Sequence, residues 1–75
     1  MTLEEIFAGT LHVPVTSIND ETSPGTLRNW NSLRHIQLVT ALEKQYRVEF
    51  STPEILGLQS VGQARDLLRS KGCQL

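Results

Sequence analysis

From Ser32 to Tyr46 the chain runs without a glycine or proline, and Ile36, Val39, Leu42 and Tyr46 recur at three- and four-residue steps with Leu38 beside them. That spacing predicts an amphipathic helix whose apolar stripe must be covered by other elements, because an isolated helix of this length is marginal in water. Asn31 is a good N-cap, its short side chain able to accept a hydrogen bond from an otherwise unpaired N–H of the first turn, so Ser32 falls at the helix start. Opposite the core stripe, Leu33, Gln37, Thr40 and Lys44 share a second face, with an apolar leucine at its exposed tip.

The remaining segments offer partners for that stripe. Thr2 and Glu5 have the form of a capping box, and Leu3, Ile6, Phe7 and Leu11 follow at helical spacing toward an end near His12, before Val13-Pro14. Residues 13–31 contain Pro14, Pro24, Gly25 and many short polar residues, which fit neither helix nor strand. The loop is long for so small a chain. Val15, Ile18, Leu27 and Trp30 are spaced as apolar anchors that would pin it across a bundle, with one short helical turn near Ile18 to Glu21.

Arg47-Val48-Glu49-Phe50 alternates polar and apolar but has no partner strand, and reads as an extended connector. Ser51-Thr52-Pro53-Glu54 then opens a short third helix through Ile55 and Leu56 to Gly57. Ser60 with Gln63 repeats the capping-box pattern, and Val61, Ala64, Leu67 and Leu68 give a fourth helix its core face, fraying through Ser70-Lys71-Gly72. The expectation is an all-α, small four-helix bundle: three main helices, one short helix, and a long loop between the first and second.

Composition narrows the function classes. A net charge of -1 with 20% charged residues lacks the clustered basic excess that phosphate neutralisation by a nucleic-acid binder requires. Residues 1–27 hold Glu4, Glu5, Asp20 and Glu21 and no Lys or Arg, whereas seven basic residues oppose four acidic ones from Arg28 onward, a mild dipole along the chain. Cys73 is the only cysteine, which excludes an internal disulfide, suggests a reducing compartment and leaves an exposed, idle thiol near the C-terminus. With no basic, apolar leader and no run long enough to span a bilayer, a cytoplasmic protein without membrane contact is expected. Nothing points to a stable oligomer, and 75 residues leave little room for an enclosed active site.

Candidate chemistry is sparse. His12 and His35 are far apart and no carboxylate or thiol cluster accompanies them, so no metal site is expected. Ser32 and His35, three residues apart on one helix, have the form of a nucleophile–base pair, but nothing supplies an orienting group or oxyanion donors. The chain is therefore expected to be non-catalytic. Arg28, Arg34, Lys44 and Arg47 form a basic patch around the central helix, an ordinary solvated face or a docking surface in equal measure.

Trp30-Asn31-Ser32-Leu33-Arg34-His35-Ile36-Gln37-Leu38-Val39, then Ala41-Leu42-Glu43 and Val48-Glu49-Phe50, resembles the acyl carrier protein family, whose hallmark is Asp-Ser-Leu at the start of the second helix. The likeness spans nearly the whole chain, through the Pro-Glu-Ile third helix and the Ser-Val opening of the fourth, and implies one acyl carrier domain over residues 1–75. It implies that Ser32 receives 4′-phosphopantetheine from coenzyme A through a separate phosphopantetheinyl transferase, with Asn31 at the cap and Arg28 or Arg34 adding a charge contact. A phosphodiester there would lie at a helix N-terminus, where unpaired N–H groups and the dipole favour an anion.

By matched position, Leu33, Arg34, Gln37, Thr40, Lys44 and Ile55 would form the face gripped by acyl-loading and acyl-processing enzymes such as a ketosynthase or acyltransferase. Val39, Leu42, Phe50, Ile55, Leu58 and Val61 would border a gap in which an acyl chain shelters. The sequence departs from the family pattern at Asn31, where the family has Asp, and in a second helix that carries Arg34, Lys44 and Arg47 against Glu43 alone. In the family that Asp helps the modifying transferase engage its metal and substrate, so Asn31 implies modification that is slower, dependent on a particular transferase, or absent. The non-acidic second helix suggests a polyketide-like or other specialised pathway rather than general fatty acid biosynthesis, and Trp-Asn-Ser-Leu, without the Gly-Gly lead-in of many peptidyl carriers, resembles a free-standing carrier. A peptidyl or aminoacyl carrier of a nonribosomal pathway, and a degenerate carrier fold that binds proteins without the arm, are the alternatives.

Overall fold

The computed structural model describes residues 1–75 and contains four α-helices and no strand: α1 (Leu3–Leu11), α2 (Ser32–Tyr46), α3 (Thr52–Gly57) and α4 (Val61–Ser70). Each begins where the sequence supplies a cap. Thr2 Oγ1 accepts from the Glu5 N–H while Glu5 Oε1 accepts from the Thr2 N–H, and Ser51 and Glu54 repeat this reciprocal pair at α3. The expected third box is only half formed. Ser60 Oγ accepts from the Gln63 N–H, but Gln63 Oε1 turns to the Gln59 N–H at 2.7 Å.

The core is built from one stripe of each long helix. Phe7, Leu11, Leu38, Leu42, Val61, Ala64 and Leu68 are fully buried, and Leu58 and Phe50 close the connectors over them. On α2 the stripe is rotated from the expected one: Leu38, Val39 and Leu42 are buried, but Ile36 is 57% exposed and His35 takes the inward position beside the core.

The loop between α1 and α2 is ordered by polar contacts as much as by anchors. Ile18 and Trp30 are buried and Leu27 packs against the core, whereas Val15 is 46% exposed and anchors nothing. Its single helical turn is a 3-10 turn at Val15–Ser17, ahead of the expected residues 18–21, started by Pro14 and closed by the Ile18 N–H on Val15 O. Asp20 and Thr22 then use their carbonyls to accept the Gly62 and Val61 N–H groups at 2.9 and 3.1 Å, so the loop caps α4. A Cβ on Gly62 would lie 3.0 Å from Asp20 O, which explains glycine at that contact.

Charge follows the same plan. Arg65 of α4 pairs with Glu4 of α1 and, at 3.0 Å, with Asp20 of the loop, bringing the acidic and basic halves of the chain together. Lys71 Nζ meets Glu54 Oε1 at 3.0 Å and lies over the Phe50 ring, fastening α3 to the end of α4. Cys73, expected exposed, is half-buried against the core because the chain folds back after Gly72, whose φ of 87° suits glycine. No helix is long and apolar enough to cross a membrane.

Candidate functional site

Ser32 is the first residue of α2 and is exposed. Asn31, extended at φ −105° and ψ −178°, accepts the Arg34 N–H on its Oδ1 at 2.9 Å and the His35 N–H on its carbonyl. The N–H groups of Ser32 and Leu33 have no acceptor in the protein. The side chain of Ser32 therefore stands at a helix N-terminus with two free donors and the positive dipole end beside it, an environment suited to an attached phosphate.

The start of α2 is fixed by Trp30, which is 3% exposed and packs edge-on against Phe7 with ring centroids 5.4 Å apart. Its indole Nε1–H donates to His35 Nδ1 at 2.9 Å, and His35 Nε2 lies 2.8 Å from Ile55 O. An indole nitrogen can only donate and a carbonyl can only accept, so in this arrangement Nδ1 accepts and Nε2–H donates. Both ring nitrogens are thereby committed, one to the loop and one to α3. His35 cannot also serve as a base for Ser32, which removes the geometry that a serine–histidine mechanism needs.

Beside Ser32 an open cavity of about 420 Å³ lies between α2 and α3, walled by Trp30, His35, Ile36, Ile55 and Leu56, with Asn31 and Gln59 at its polar edge. Its size is in the range of small-ligand sites, and its walls are mainly apolar. Leu56 is 71% exposed and Leu33 68% exposed, so apolar surface continues outward from the mouth.

The residues singled out from sequence divide cleanly. Leu33, Gln37, Thr40 and Lys44 are exposed on one side of α2, and Ile36 joins them there. Ile55, half-buried, lines the cavity. Val39, Leu42, Phe50, Leu58 and Val61 do not: they are sealed in the core at 8% exposure or less, so the open space near Ser32 is not bordered by them. Arg34 is half-buried and its guanidinium donates to Leu11 O at 3.1 Å, alongside Asn29 Nδ2 at 3.0 Å, so it ties α2 to the end of α1 instead of facing Ser32. Arg28 is exposed and makes no ion pair.

Sequence reasoning missed Trp30, His35, Ile36 and Leu56 as cavity walls. One signal was available: a buried indole needs an acceptor, and a histidine stands five residues on.

The α3 wall is held by more than His35. Backbone hydrogen bonding from the Ser51 N–H, followed by Lys71, keeps the Glu54 carboxyl below its ordinary range, so it is charged at neutral pH and both contacts are made.

No family model and no curated protein matches the chain. Among solved structures it is similar to the solution NMR structure of a holo acyl carrier protein from Geobacter metallireducens, at 32% identity and a TM-score of 0.82, over 92% of this chain and 79% of that one.

Proposed function

The chain belongs to the acyl carrier protein family, and on that premise we propose that Ser32 carries a 4′-phosphopantetheine arm taken from coenzyme A. The observation that carries the reading is the position of Ser32: exposed, first in α2, beside two unpaired backbone N–H groups and at the mouth of the cavity. The residues present fit such a group. The Ser32 and Leu33 N–H groups would receive the phosphodiester, and Arg28 is the uncommitted cation nearest in sequence before Ser32. When attached, the arm supplies a thiol that carries an acyl group as a thioester.

In the active site of a separate phosphopantetheinyl transferase, Ser32 Oγ attacks the pantetheine-bearing phosphorus of coenzyme A, the pyrophosphate bond breaks, and adenosine 3′,5′-bisphosphate and the serine proton leave; the chain performs no step of its own on the cargo. Asn31 holds Ser32 at the helix start as an uncharged cap. Leu33, Ile36 and Leu56, with Gln37, Thr40 and Lys44, form the face presented to acyl-loading and acyl-processing enzymes such as a ketosynthase or acyltransferase. Tethering raises the cargo's effective concentration at each of them. The charge of α2 favours a polyketide-like or other specialised pathway; aminoacyl cargo is the second reading within the same fold.

Intact mass after incubation with coenzyme A and a broad-specificity transferase tests the assignment. A gain of one phosphopantetheine that is absent in Ser32→Ala is expected. An unchanged mass with several transferases, and in protein from its native host, would leave an interaction module without an arm.

A further inference from the structure

The outward side of α2 changes character along its length. At its start Leu33 and Ile36 are 68% and 57% exposed. Toward its end Lys44 and the C-cap Arg47 are exposed, and neither joins an ion pair: the pairs of the chain are Arg65 with Glu4 and Asp20, and Lys71 with Glu54. Glu43, the one acid of α2, is half-buried and its Oε2 accepts the Phe50 N–H at 2.9 Å. The helix thus presents two free cations beyond an apolar patch, and its only carboxylate is occupied by the backbone. At 1.5 Å rise per residue, Lys44 lies about 17 Å along the axis from Leu33.

Helix termination does not account for both cations. Lys44 is in the last turn, where a cation offsets the negative end of the helix dipole. Arg47, however, occupies a left-handed position at φ 54°, where glycine is the least strained residue and no arginine is needed to end a helix.

Resting on the carrier reading above, we propose that the enzyme serving this chain docks along α2 through an acidic face. An apolar recess takes Leu33 and Ile36, and a carboxylate cluster about 17 Å away meets Lys44 and Arg47. Exposed charges of this kind act mainly on encounter and partner choice and are screened by salt, so they select the partner more than they hold it. An enzyme with a basic carrier-facing surface is repelled.

The test begins with the phosphopantetheine-bearing protein, verified by intact mass, so that failure of the carrier reading is seen before docking is measured. Acyl transfer from the loaded protein is then followed over a salt series with two ketosynthases as probes, one with an acidic and one with a basic entrance surface. Wild type is expected to react faster with the acidic one. Lys44→Glu combined with Arg47→Gly is expected to lower kcat/KM with that enzyme by roughly tenfold at low salt, with kcat and helicity retained and the loss fading at high salt. Lys44→Gln should give a smaller loss in the same direction. A wild-type preference for the basic enzyme, or unchanged kcat/KM in the double variant, overturns the proposal. So does salt-dependent binding of the wild type to phosphatidylglycerol vesicles that the double variant loses, since the cations would then serve a membrane.

Discussion

The α1–α4 side of the molecule and the side formed by Ser32 and α3 are held together in opposite ways. Around α1 and α4, Phe7, Leu11, Val61, Ala64 and Leu68 have no measurable exposure, loop carbonyls cap α4, and Arg65 bridges to Glu4 and Asp20. Around Ser32 and α3 the balance reverses. α3 buries none of its residues fully and is fastened by polar contacts, His35 to Ile55 O and Lys71 to Glu54, while Leu33, Ile36 and Leu56 face outward. Burial supplies stability where the chain needs only to stay folded, and a few directional bonds define shape where it must meet other molecules. The α3 side is thus expected to open first.

The largest test of this contrast is Phe7→Ala against Leu33→Asp. Emptying the Phe7 site should cost about 3–5 kcal/mol in urea unfolding, and Leu33→Asp should stay within roughly 0.5 kcal/mol while impairing transfer reactions. Comparable losses from both would mean that Leu33 belongs to the core. His35→Ala comes next: it leaves the buried Trp30 indole without its acceptor, at a cost of about 1–3 kcal/mol. Amide exchange should quicken in α3 and leave α4 nearly unchanged, with His35→Gln recovering part of the effect. Equal loosening of both helices would erase the distinction between the regions.

The smallest effect is electrostatic and uses the two capping boxes as a matched pair. Backbone hydrogen bonds from Thr2 and Ser51 lower the Glu5 and Glu54 carboxyls from the ordinary 4.5. A carboxyl lowered on folding contributes stability that is fully present above its unfolded value and is lost as pH falls through the lower folded one. The urea midpoint should therefore decline as acidification passes below 4.5, the starting value of both groups. Glu5→Gln should flatten that decline through α1, and Glu54→Gln through α3, because each removes the titrating carboxyl and leaves its backbone donor in place. A slope unaffected by either substitution would locate the acid sensitivity elsewhere.

Helix starts were legible because caps are local: Thr2, Asn31, Ser51 and Ser60 each lie within three residues of the N–H they satisfy. The facing of α2 was less so. Its apolar residues fit two overlapping stripes, and hydropathy favours the one through Ile36, whereas the folded chain turns His35 inward because Trp30 and Ile55 O satisfy both ring nitrogens. Arg34 was misread for the same reason. Its acceptor, Leu11 O, is 23 residues away, and no local pattern announces a bond across that separation. The place of Ser32 at the start of α2 could be read from sequence, while the cavity beside it depends on how three separate segments meet.

Trp30 is the only tryptophan in the chain, so intrinsic fluorescence has a single origin. That indole is buried, hydrogen-bonded to His35 and part of the cavity wall next to Ser32. The protein consequently contains its own optical probe. A cargo that folds back between α2 and α3 should alter the emission, and one that remains in solvent should leave it unchanged, without any label being introduced.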